Sequence, residues 1–438
     1  MLSTPTDPMT ELGTPGWVER TGGQLTAGER RSLFRPLARS HAFNAAGRIS
    51  MLLRVNSGSR ATVTRTQRPD PDSALTRAAE ALARRRLSPA LLNQSYRTYA
   101  FGAALADLEN VDVDHELLYA AALLHDVGHY PFSHALEEIG AMHHEAVART
   151  LITGGEIASV LASTIGANAA MRAHAIITGE SASPLQGLIS GSLDLDKIEY
   201  LKRDALMCGV PYGEIDVDRL LHSLTIVDDP KSGAPVIGIV EKGLAALESL
   251  LFAKYQMYRN VYWHHAVRSA TAMYKRLVDD AMRSGAIEER ELAGFTDEGL
   301  LHRLDERAPS ALLDGLRHRH LHKRAFECSS TELDAGQGDW IANDRARVIA
   351  SEDELACEIG VAPGAVLLDY PEKPRMLGLD LPVRMRGGEV KRLGAKGWPA
   401  AINLPLLSQE LYESTRVMRV FATEGTKVPR ERVMELLG

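Results

Sequence analysis

Four side chains that can bind a metal ion or a phosphate group follow directly after the apolar run at residues 118–124: His125, Asp126, His129 and His134. Imidazole and carboxylate groups together are common ligands of divalent metal ions. Adjacent side chains on a helix point about 100° apart, so His125 and Asp126 can bind one ion only from the edge of the buried face. The alternative is a helix end with a capping histidine and a solvated aspartate. The crowding of four such groups favours a metal site.

A second acidic segment, residues 190–204, supplies a candidate third ligand. Asp196, Tyr200 and Asp204 recur every four residues, which places them on one face of a helix. Asp196 is the best candidate because its face also carries apolar and aromatic side chains. For its neighbour Asp194, a charge pair on a solvated helix surface is the plausible alternative. A mixed histidine and aspartate set suits Mn, Fe, Co or Ni, and hard ions such as Mg favour carboxylates.

The segments that must position these groups have the composition and periodicity of helices, and period-2 runs are scarce before residue 300. The predicted fold class is therefore mainly α. Helices are predicted at residues 74–86, 89–108, 114–124, 137–151, 155–165, 171–178 and 185–207, with a long helical region at 237–284 broken near Gly243. Short strands are predicted after the turns at 209–216 and 228–235, and at 365–371, 379–385 and 416–422.

A change in character after residue 286 predicts two domains and an arm. Residues 1–28 are predicted to be a flexible N-terminal arm, because they are rich in Thr, Pro and Gly and have little apolar periodicity. Residues 29–286 are predicted to form one helical domain, and residues 287–438 a small α+β C-terminal domain.

Composition excludes several classes of protein. The chain of 438 residues has a formal net charge of −7, so no overall basic field attracts nucleic acid. Its three cysteines are far apart, which is typical of reduced thiols and not of a disulfide scaffold. No apolar run approaches the roughly 20 residues that a membrane span needs. The protein is therefore expected to be cytoplasmic and to make no membrane contact.

Six motifs, taken in order, resemble the HD-domain metal-dependent phosphohydrolases, and in particular their deoxynucleoside triphosphate triphosphohydrolase-like branch. The motifs are LLHDVGH with His125 and Asp126, GHYPFSHALE, HHE, DLDKIEYLKRD with Asp196, CGVPYGEID and KYQMYRNVYWHH. The strand AVLLDYP resembles the C-terminal part of that branch. Each motif alone is weak, and their order and spacing over roughly residues 95–430 make the resemblance specific. It implies a helical HD-domain core, a small α+β C-terminal domain and a divalent metal ion.

One position departs from the family pattern. The stretch NQSYRTYAFG resembles the family's HS-x-RTY-x-FG, whose histidine is the first metal ligand, and Gln94 stands in that place, 125 − 94 = 31 residues before His125. A glutamine offers a carbonyl oxygen and no imidazole nitrogen. Three outcomes stay open: the site binds a harder ion, it recruits another histidine, or it has lost the metal.

The resemblance also implies roles for residues around the metal site. Catalytic or phosphate-binding roles are implied for His129, His134, Glu137 and His144, with Glu137 orienting His134 and His144 acting as a general acid. One of His143 and His144 is expected simply to cap a helix.

Substrate contacts are implied for a further set of residues. Phosphate or sugar contacts fall on Lys197, Lys254, Tyr262 and His264, and sugar contacts fall on Tyr200 and Asp204. A solvated Lys254 and a core Tyr262 are the structural alternatives. The basic run at residues 317–324 is either a wet surface or a contact for a regulatory nucleotide or another subunit, since the resembled family includes enzymes with regulatory nucleotides between subunits.

The function implied by the resemblance is the metal-assisted attack of water on a nucleotide, with a deoxynucleoside triphosphate losing tripolyphosphate as the favoured reaction. One alternative is a nucleotide-binding sensor that has lost catalysis, which Gln94 would explain. The other is a phosphomonoesterase or cyclic-nucleotide phosphodiesterase with the same metal core. The expected partners are a nucleotide substrate, a possible regulatory nucleotide and further copies of the chain in a homo-oligomer.

Overall fold

The computed structural model of the protein describes residues 70–191, 193–372, 380–393 and 404–438. The predicted N-terminal arm, residues 1–28, lies outside these ranges, as do residues 29–69 of the predicted helical domain. Within them the protein is mostly helical with a few short strands, which confirms the predicted fold class. None of the helices in these ranges combines the length and the apolar character that a bilayer crossing requires.

The helices of the described residues fall into two groups along the chain. The first group is α1 Ala74–Arg86, α2 Pro89–Leu108, α3 His115–Leu124, α4 His144–Thr153, α5 Gly155–Thr164, α6 Ala169–Thr178, α7 Gly187–Ser190, α8 Leu195–Cys208, α9 Val217–Leu221 and α10 Leu244–Met257. The second group is α11 His265–Arg283, α12 Glu289–Leu292, α13 Asp297–Arg307, α14 Ala311–Arg317, α15 Trp340–Asn343, α16 Arg345–Glu358, α17 Leu404–Thr415 and α18 Arg430–Leu437.

Side-chain caps fix the beginnings of α1 and of the three helices that carry or lead into the predicted metal ligands. Ser73, Ser88, Asp114 and Asp194 each accept a hydrogen bond from a backbone N–H in the first turn of α1, α2, α3 and α8. Such caps stabilise a helix by about 1 kcal/mol each. The bounds of α1 and α2 match the predicted ranges, because their capping residues are visible in the sequence.

Helix α3 lies at the centre of the larger hydrophobic core. All of its residues from 117 to 124 are buried, and it packs against α1, α2 and α6. A helix that is apolar on every side needs neighbours on every side. The C-terminal end of α3, which directly precedes His125, is therefore held in place by the core.

Two predicted helices are interrupted, and both interruptions lie near the predicted site. The predicted helix at 137–151 is a short 3₁₀ turn, Glu137–Ile139, followed by α4, and Gly140 separates them with a φ of 93°. The predicted helix at 185–207 divides into α7 and α8 at Gly191. A Cβ atom on Gly191 would lie 2.2 Å from the carbonyl oxygen of Gly187, so the chain passes too close for a side chain there.

The strands form two sheets among the described residues. They are β1 Leu224–Asp228, β2 Pro235–Val240, β3 Lys323–Ser329, β4 Val366–Asp369, β5 Pro382–Arg384, β6 Val390–Arg392 and β7 Val417–Ala422. One sheet has the order β1-β2-β5-β6, and the other has the order β3-β7-β4 with both pairs antiparallel. The predicted helical region at 237–284 is wrong over its first residues, which belong to β2.

The first sheet combines strands from both predicted domains. Strand β5 comes from the predicted C-terminal domain, yet it pairs in parallel with β2, with Val383 opposite Ile239. Both side chains are fully buried in the core that also contains α3. A strand of the predicted C-terminal domain therefore contributes to the core that also contains α3.

Candidate metal centre and substrate cavity

The candidate metal centre begins where α3 ends. His125 follows the last helical residue, and its Nδ1–H donates to the carbonyl oxygen of Ala122 at 2.8 Å. This hydrogen bond leaves Nε2 as the nitrogen with a lone pair, and Nε2 lies 3.2 Å from Oδ2 of Asp126. Backbone bonds of this kind fix the tautomer and the ring orientation of metal-binding histidines. The two side chains meet at the helix end, as their spacing predicts.

Asp196 joins them from the first turn of α8. One ligand atom from each of His125, Asp126 and Asp196 lies within 4.8 Å of the other two. The Asp194 cap and the buried residues Leu195 and Ile198 hold this turn against the core. The side chains that the sequence selects as metal ligands are therefore brought together from two separate helices.

Unpaired polar atoms in this cluster show what the site can bind. Oε1 of Gln94, Nε2 of His125 and Oδ1 of Asp196 are all buried and make no hydrogen bond. Gln94 lies on α2 and is only 2% exposed. Buried polar atoms without a partner are rare and costly. All three atoms can offer a lone pair to a metal ion, so a cation is a partner that would satisfy them together.

The electrostatics of the cluster also favour a bound cation. Burial, together with the nearby charge of Asp126, raises the pKa of Asp196 to about 7. Two carboxylates this close and this well buried repel each other unless a positive charge lies between them. The residues present fit a divalent metal ion with His125, Asp126 and Asp196 as ligands and with the amide oxygen of Gln94 facing the same site.

Three imidazoles form a second group beside the metal ligands. The rings of His129 and His144 stack with their centroids 4.1 Å apart, and His134 packs edge-on against both, at 4.9 and 5.1 Å. Glu137 joins two of them: Nδ1–H of His134 donates to Oε2 at 3.0 Å, and Nδ1–H of His144 donates to Oε1 at 2.7 Å. The predicted role of Glu137 in orienting His134 is thus matched by a direct contact, and the contact extends to His144.

The Glu137 carboxylate is ionised in this setting. Burial alone would raise its pKa, but the hydrogen bonds from His134 and His144 outweigh burial and hold the pKa well below its ordinary value. A carboxylate that accepts from Nδ1 of an imidazole leaves Nε2 free to face a ligand. Glu137 therefore presents two imidazoles in one fixed tautomer.

A strained turn brings His134 back towards His129. Phe132 and Ser133 both adopt the left-handed conformation, with φ of 59° and 58°, which is unusual for residues other than glycine. The turn is held from outside, since Asp297 accepts from the N–H of Phe132 at 2.9 Å and Tyr274 donates to the carbonyl oxygen of Pro131 at 3.1 Å. Strain of this kind persists only where surrounding contacts impose it, and it is common at functional sites.

Gly128 permits the close approach of the metal-binding turn and α4. A Cβ atom at this position would lie 2.1 Å from the carbonyl oxygen of His144 and 2.6 Å from the backbone nitrogen of Ala148. Both of these neighbours are backbone atoms, which cannot rotate away. The absence of a side chain is what lets the ring of His129 stack on that of His144.

Gly128→Ala is expected to lower the free energy of unfolding by about 2–3 kcal/mol, because the extra methyl group must push α4 away from the metal-binding turn. Urea denaturation followed by circular dichroism measures this loss. Gly102→Ala is the matched control, since a Cβ there would lie no closer than 3.4 Å to a flexible Leu118 side chain. That change, inside α2, should be neutral or stabilising by up to ~1 kcal/mol. Equal stability of the two variants would contradict the close approach.

The predicted sugar-contacting residues lie along the same helix as Asp196. Tyr200 and Asp204 follow at one and two turns along α8, so Asp204 is about 12 Å from Asp196 along the helix axis. The hydroxyl of Tyr262 donates to Oδ2 of Asp204 at 2.9 Å, and the rings of Tyr200 and Tyr262 are 6.2 Å apart. These three side chains form an aromatic and acidic end of the site.

A single cavity of about 670 Å³ includes the metal ligands, the imidazoles and the aromatic end. Ligand-binding cavities commonly measure about 300–1,000 Å³. Among the residues that line it are Gln94, His125, Asp126, His129, His134, His144, Asp194, Asp196, Lys197, Tyr200, Arg203, Asp204, Tyr258 and Tyr262.

The remaining predicted substrate contacts differ in whether they line the cavity. Lys197 lines the cavity, but its ammonium group is bound to Asp194 and to the carbonyl oxygen of Gly191. Lys254 is buried and His264 caps the start of α11, and neither is among the residues that line the cavity. The roles of Lys254 and His264 in substrate binding stay predictions.

Among the cavity residues that sequence reasoning missed are a basic and an aromatic side chain. Arg203 lines the cavity one position before Asp204, and Tyr258 lies one helical turn before Tyr262. Arg203 forms an ion pair with Glu199 at 3.0 Å, which holds a guanidinium group at the cavity wall. Both residues lie in segments from which other site residues were selected. From the sequence alone, Arg203 could not be distinguished from an ordinary surface charge, or Tyr258 from an aromatic residue of the core.

Comparison with known protein families matches two consecutive parts of the chain. The family model of the HD domain matches residues 91–190, and the model of an HD-associated region matches residues 215–397. The first match includes Gln94, His125, Asp126 and the three imidazoles. Asp196 lies between the two matched parts.

Related proteins and structures extend this result. A Methanocaldococcus jannaschii protein, MJ1154, is 34% identical over 256 residues, and a Dictyostelium discoideum protein named deoxynucleoside triphosphate triphosphohydrolase SAMHD1 homolog is 25% identical over 272 residues. The matches cover 58% and 55% of this chain, and the chain spans about half the length of these relatives, 53% and 50%. A phosphohydrolase structure from Bacteroides thetaiotaomicron superposes with a TM-score of 0.60 at 19% identity, covering 81% of this chain and 97% of that one. At that identity the likeness concerns the fold alone.

Proposed function

We propose that this protein is a metal-dependent phosphohydrolase that acts on nucleotides. Its chain matches the HD domain and, after it, the HD-associated region. The favoured reaction is the hydrolysis of a deoxynucleoside triphosphate to the nucleoside and tripolyphosphate. The observation that carries the proposal is the set of buried, unpaired acceptor atoms on Gln94, His125 and Asp196, which a divalent cation would satisfy. The name of the Dictyostelium relative supports the choice of substrate.

The chemistry divides between the cation and the side chains around it. A divalent ion bound by His125, Asp126 and Asp196 would lower the pKa of a water molecule and polarise a phosphoryl oxygen. On the opposite side of each ring from Glu137, the Nε2–H groups of His134 and His144 in their imidazolium form can donate to phosphate oxygens. His144 is the proposed general acid in its imidazolium form, in which Nδ1–H donates to Glu137 at 2.7 Å and Nε2–H carries the proton that passes to the leaving oxygen.

The other end of the cavity suits the nucleoside. Asp204 accepts a hydrogen bond from Tyr262 on Oδ2, and its Oδ1, which lies 3.6 Å from Nε of Arg203, can also accept from a sugar hydroxyl. Tyr200 and Tyr258 supply apolar faces beside it. Since Asp204 lies about 12 Å along the helix from Asp196, an extended nucleotide can reach from the metal ligands to this end.

Gln94 keeps the nucleotide-binding sensor as a second candidate. Its amide oxygen is a weaker ligand for a transition metal ion than the imidazole that the HD family has at this position. The oxygen is nevertheless buried and unpaired, and Gln94 lines the same cavity as the three proposed ligands, which supports a bound ion of the harder kind. Activity with Mg²⁺ or Mn²⁺ would therefore favour the enzyme, and nucleotide binding without turnover would favour the sensor.

Release of intact tripolyphosphate is the expected result when the protein, purified without chelators, is incubated with each deoxynucleoside triphosphate. Elemental analysis should first establish whether a metal is bound, and Mg²⁺, Mn²⁺, Co²⁺ and Ni²⁺ should then be added one at a time. Phosphorus-31 NMR separates tripolyphosphate from pyrophosphate and phosphate. Phosphate from a monoester, with no tripolyphosphate from any triphosphate, would contradict the favoured reaction and leave the phosphomonoesterase.

A further inference from the structure

The second sheet is connected to the imidazoles proposed as catalytic by a chain of ion pairs from the buried Asp369 and Arg268 to the partly exposed Glu138. Glu138 follows Glu137 in the same 3₁₀ turn, so the positions of their two carboxylates are coupled through the backbone. Glu137 holds His134 and His144, while Glu138 faces α11. Whatever fixes Glu138 therefore also fixes the carboxylate that orients both imidazoles.

Two cations on α11 hold Glu138. Arg268 donates from Nη1 and Nη2 to the two oxygens of Glu138, at 3.2 and 3.0 Å, and Lys275 donates to Oε2 at 3.0 Å. Paired hydrogen bonds from one guanidinium group fix both the distance and the plane of a carboxylate. Although burial would raise the pKa of Glu138, the charges of Lys275 and Arg268 keep the pKa well below its ordinary value, so the contact is ionic.

Arg268 is in turn fixed by the second sheet. Its Nε donates to Oδ2 of Asp369 at 3.0 Å and to Oδ1 at 3.2 Å, and its Nη2 donates to Oδ1 as well. Asp369 is the last residue of β4 and is fully buried, while Arg268 is 4% exposed. The group contains two acids and two bases, so its charges balance. Removing Asp369 leaves the buried Arg268 with Glu138 as its one acidic partner in this group, so the balance of buried charge is lost.

We propose that Asp369 and Arg268 are positioning residues for His134 and His144, acting through Glu138 and the turn that contains Glu137. The inference rests on the proposed catalytic role of these imidazoles. Its consequence is that the second sheet, which contributes no residue to the cavity lining described above, sets the geometry of the phosphate end of the site. A shift of β4 would change the orientation of both imidazoles together.

Asp369→Asn is the test, because it keeps the size of the side chain and removes its charge. The imidazole nitrogen-15 spectrum of the full chain in Mg²⁺, assigned with His134→Gln and His144→Gln, reports the tautomer of each ring without any substrate. The variant should reduce the Nδ1–H tautomer of both rings. The kcat of nucleotide hydrolysis should fall roughly tenfold while KM changes less than about twofold, because orientation and not binding is lost.

Glu352→Gln is the matched control. Glu352 is also buried, binds Arg276 on the same helix at 2.9 Å and accepts from the N–H of Leu368 in β4, but it does not contact Glu138. It should lower stability and leave the two tautomers and kcat unchanged. If Asp369→Asn does not fold, Glu138→Gln replaces it, since that side chain is partly exposed.

Folded Asp369→Asn or Glu138→Gln protein with wild-type signals for His134 and His144 would overturn the proposal. An equal change of both tautomers in Glu352→Gln would do the same, because it would show a general loosening of the sheet. A protein without hydrolytic activity but with the expected tautomer change would refute the proposed function and leave the positioning role intact.

Discussion

Replacing His125 or Asp126 with alanine is expected to abolish bound metal and to lower kcat/KM for nucleotide hydrolysis by at least ~1,000-fold, about 4 kcal/mol of transition-state stabilisation. Each change removes one ligand from a cluster whose ligand atoms lie within 4.8 Å of one another. The loss of His125 also removes the ring that the carbonyl of Ala122 holds in position. Elemental analysis and tripolyphosphate release measure the two effects separately.

His302→Ala is the control for these variants. His302 lies on α13, its side chain is 70% exposed, and its contact is an ion pair with Glu306 on the helix surface. It should retain both metal and activity. Full activity in His125→Ala or Asp126→Ala would refute the metal site, whereas retained metal with lost activity would show that the ion has other ligands.

Gln94→His is expected to tighten the binding of Mn²⁺, Co²⁺ or Ni²⁺ roughly tenfold or more, because imidazole is the stronger ligand for these borderline ions. The substitution fits the site, since Nε2 of histidine and Oε1 of glutamine are the same number of bonds from Cβ. The buried, unpaired Oε1 marks where the new nitrogen would lie. Isothermal titration of metal into chelator-treated protein measures the change.

Gln94→Leu provides the opposite control, because it keeps the buried volume and removes the oxygen. Its metal affinity should fall below that of the unchanged protein. Identical affinities for glutamine, histidine and leucine at this position would show that residue 94 does not contact the ion. The correspondence between Gln94 and the family's first histidine would then be wrong.

Helices whose ends carry their own signals could be predicted from the sequence. Ser73 and Ser88 mark the beginnings of α1 and α2, and the apolar run before His125 marks the buried α3. These are local properties, which depend on neighbouring residues along the chain. The meeting of His125 with Asp126 also follows from local spacing.

Breaks in helices that depend on distant contacts could not be predicted. The predicted helix at 137–151 ends after one turn because Glu137 and Glu138 are held by side chains from α4 and α11. Its composition alone favours a continuous helix. The basic run at 317–324 ends in β3, whose strand character depends on pairing with β7. Its role as a contact for a regulatory nucleotide or another subunit stays a prediction.

The candidate site also contains some residues that could be predicted from the sequence and some that could not. His125, Asp126 and Asp196 could be selected from residue type and from the family pattern, and they lie together. The ion-paired chain from Asp369 to Glu138 joins residues that are far apart in sequence, and no local sequence pattern around them indicates a partner. Long-range charge pairing of this kind becomes visible only in the folded structure.

The parallel pairing of β2 with β5 has a consequence for synthesis of the protein. Ile239 cannot pair with Val383 until Val383 has been synthesised, and Val383 is 383 − 239 = 144 positions later in the chain. At translation rates of about 5–20 residues per second, this delay is roughly 7–30 s. During that time every metal-binding motif has left the ribosome, yet one edge of β2 is open to other chains. Nascent protein should therefore be most prone to aggregation in this interval, and stop codons placed between residues 286 and 382 should yield insoluble products and not a smaller enzyme.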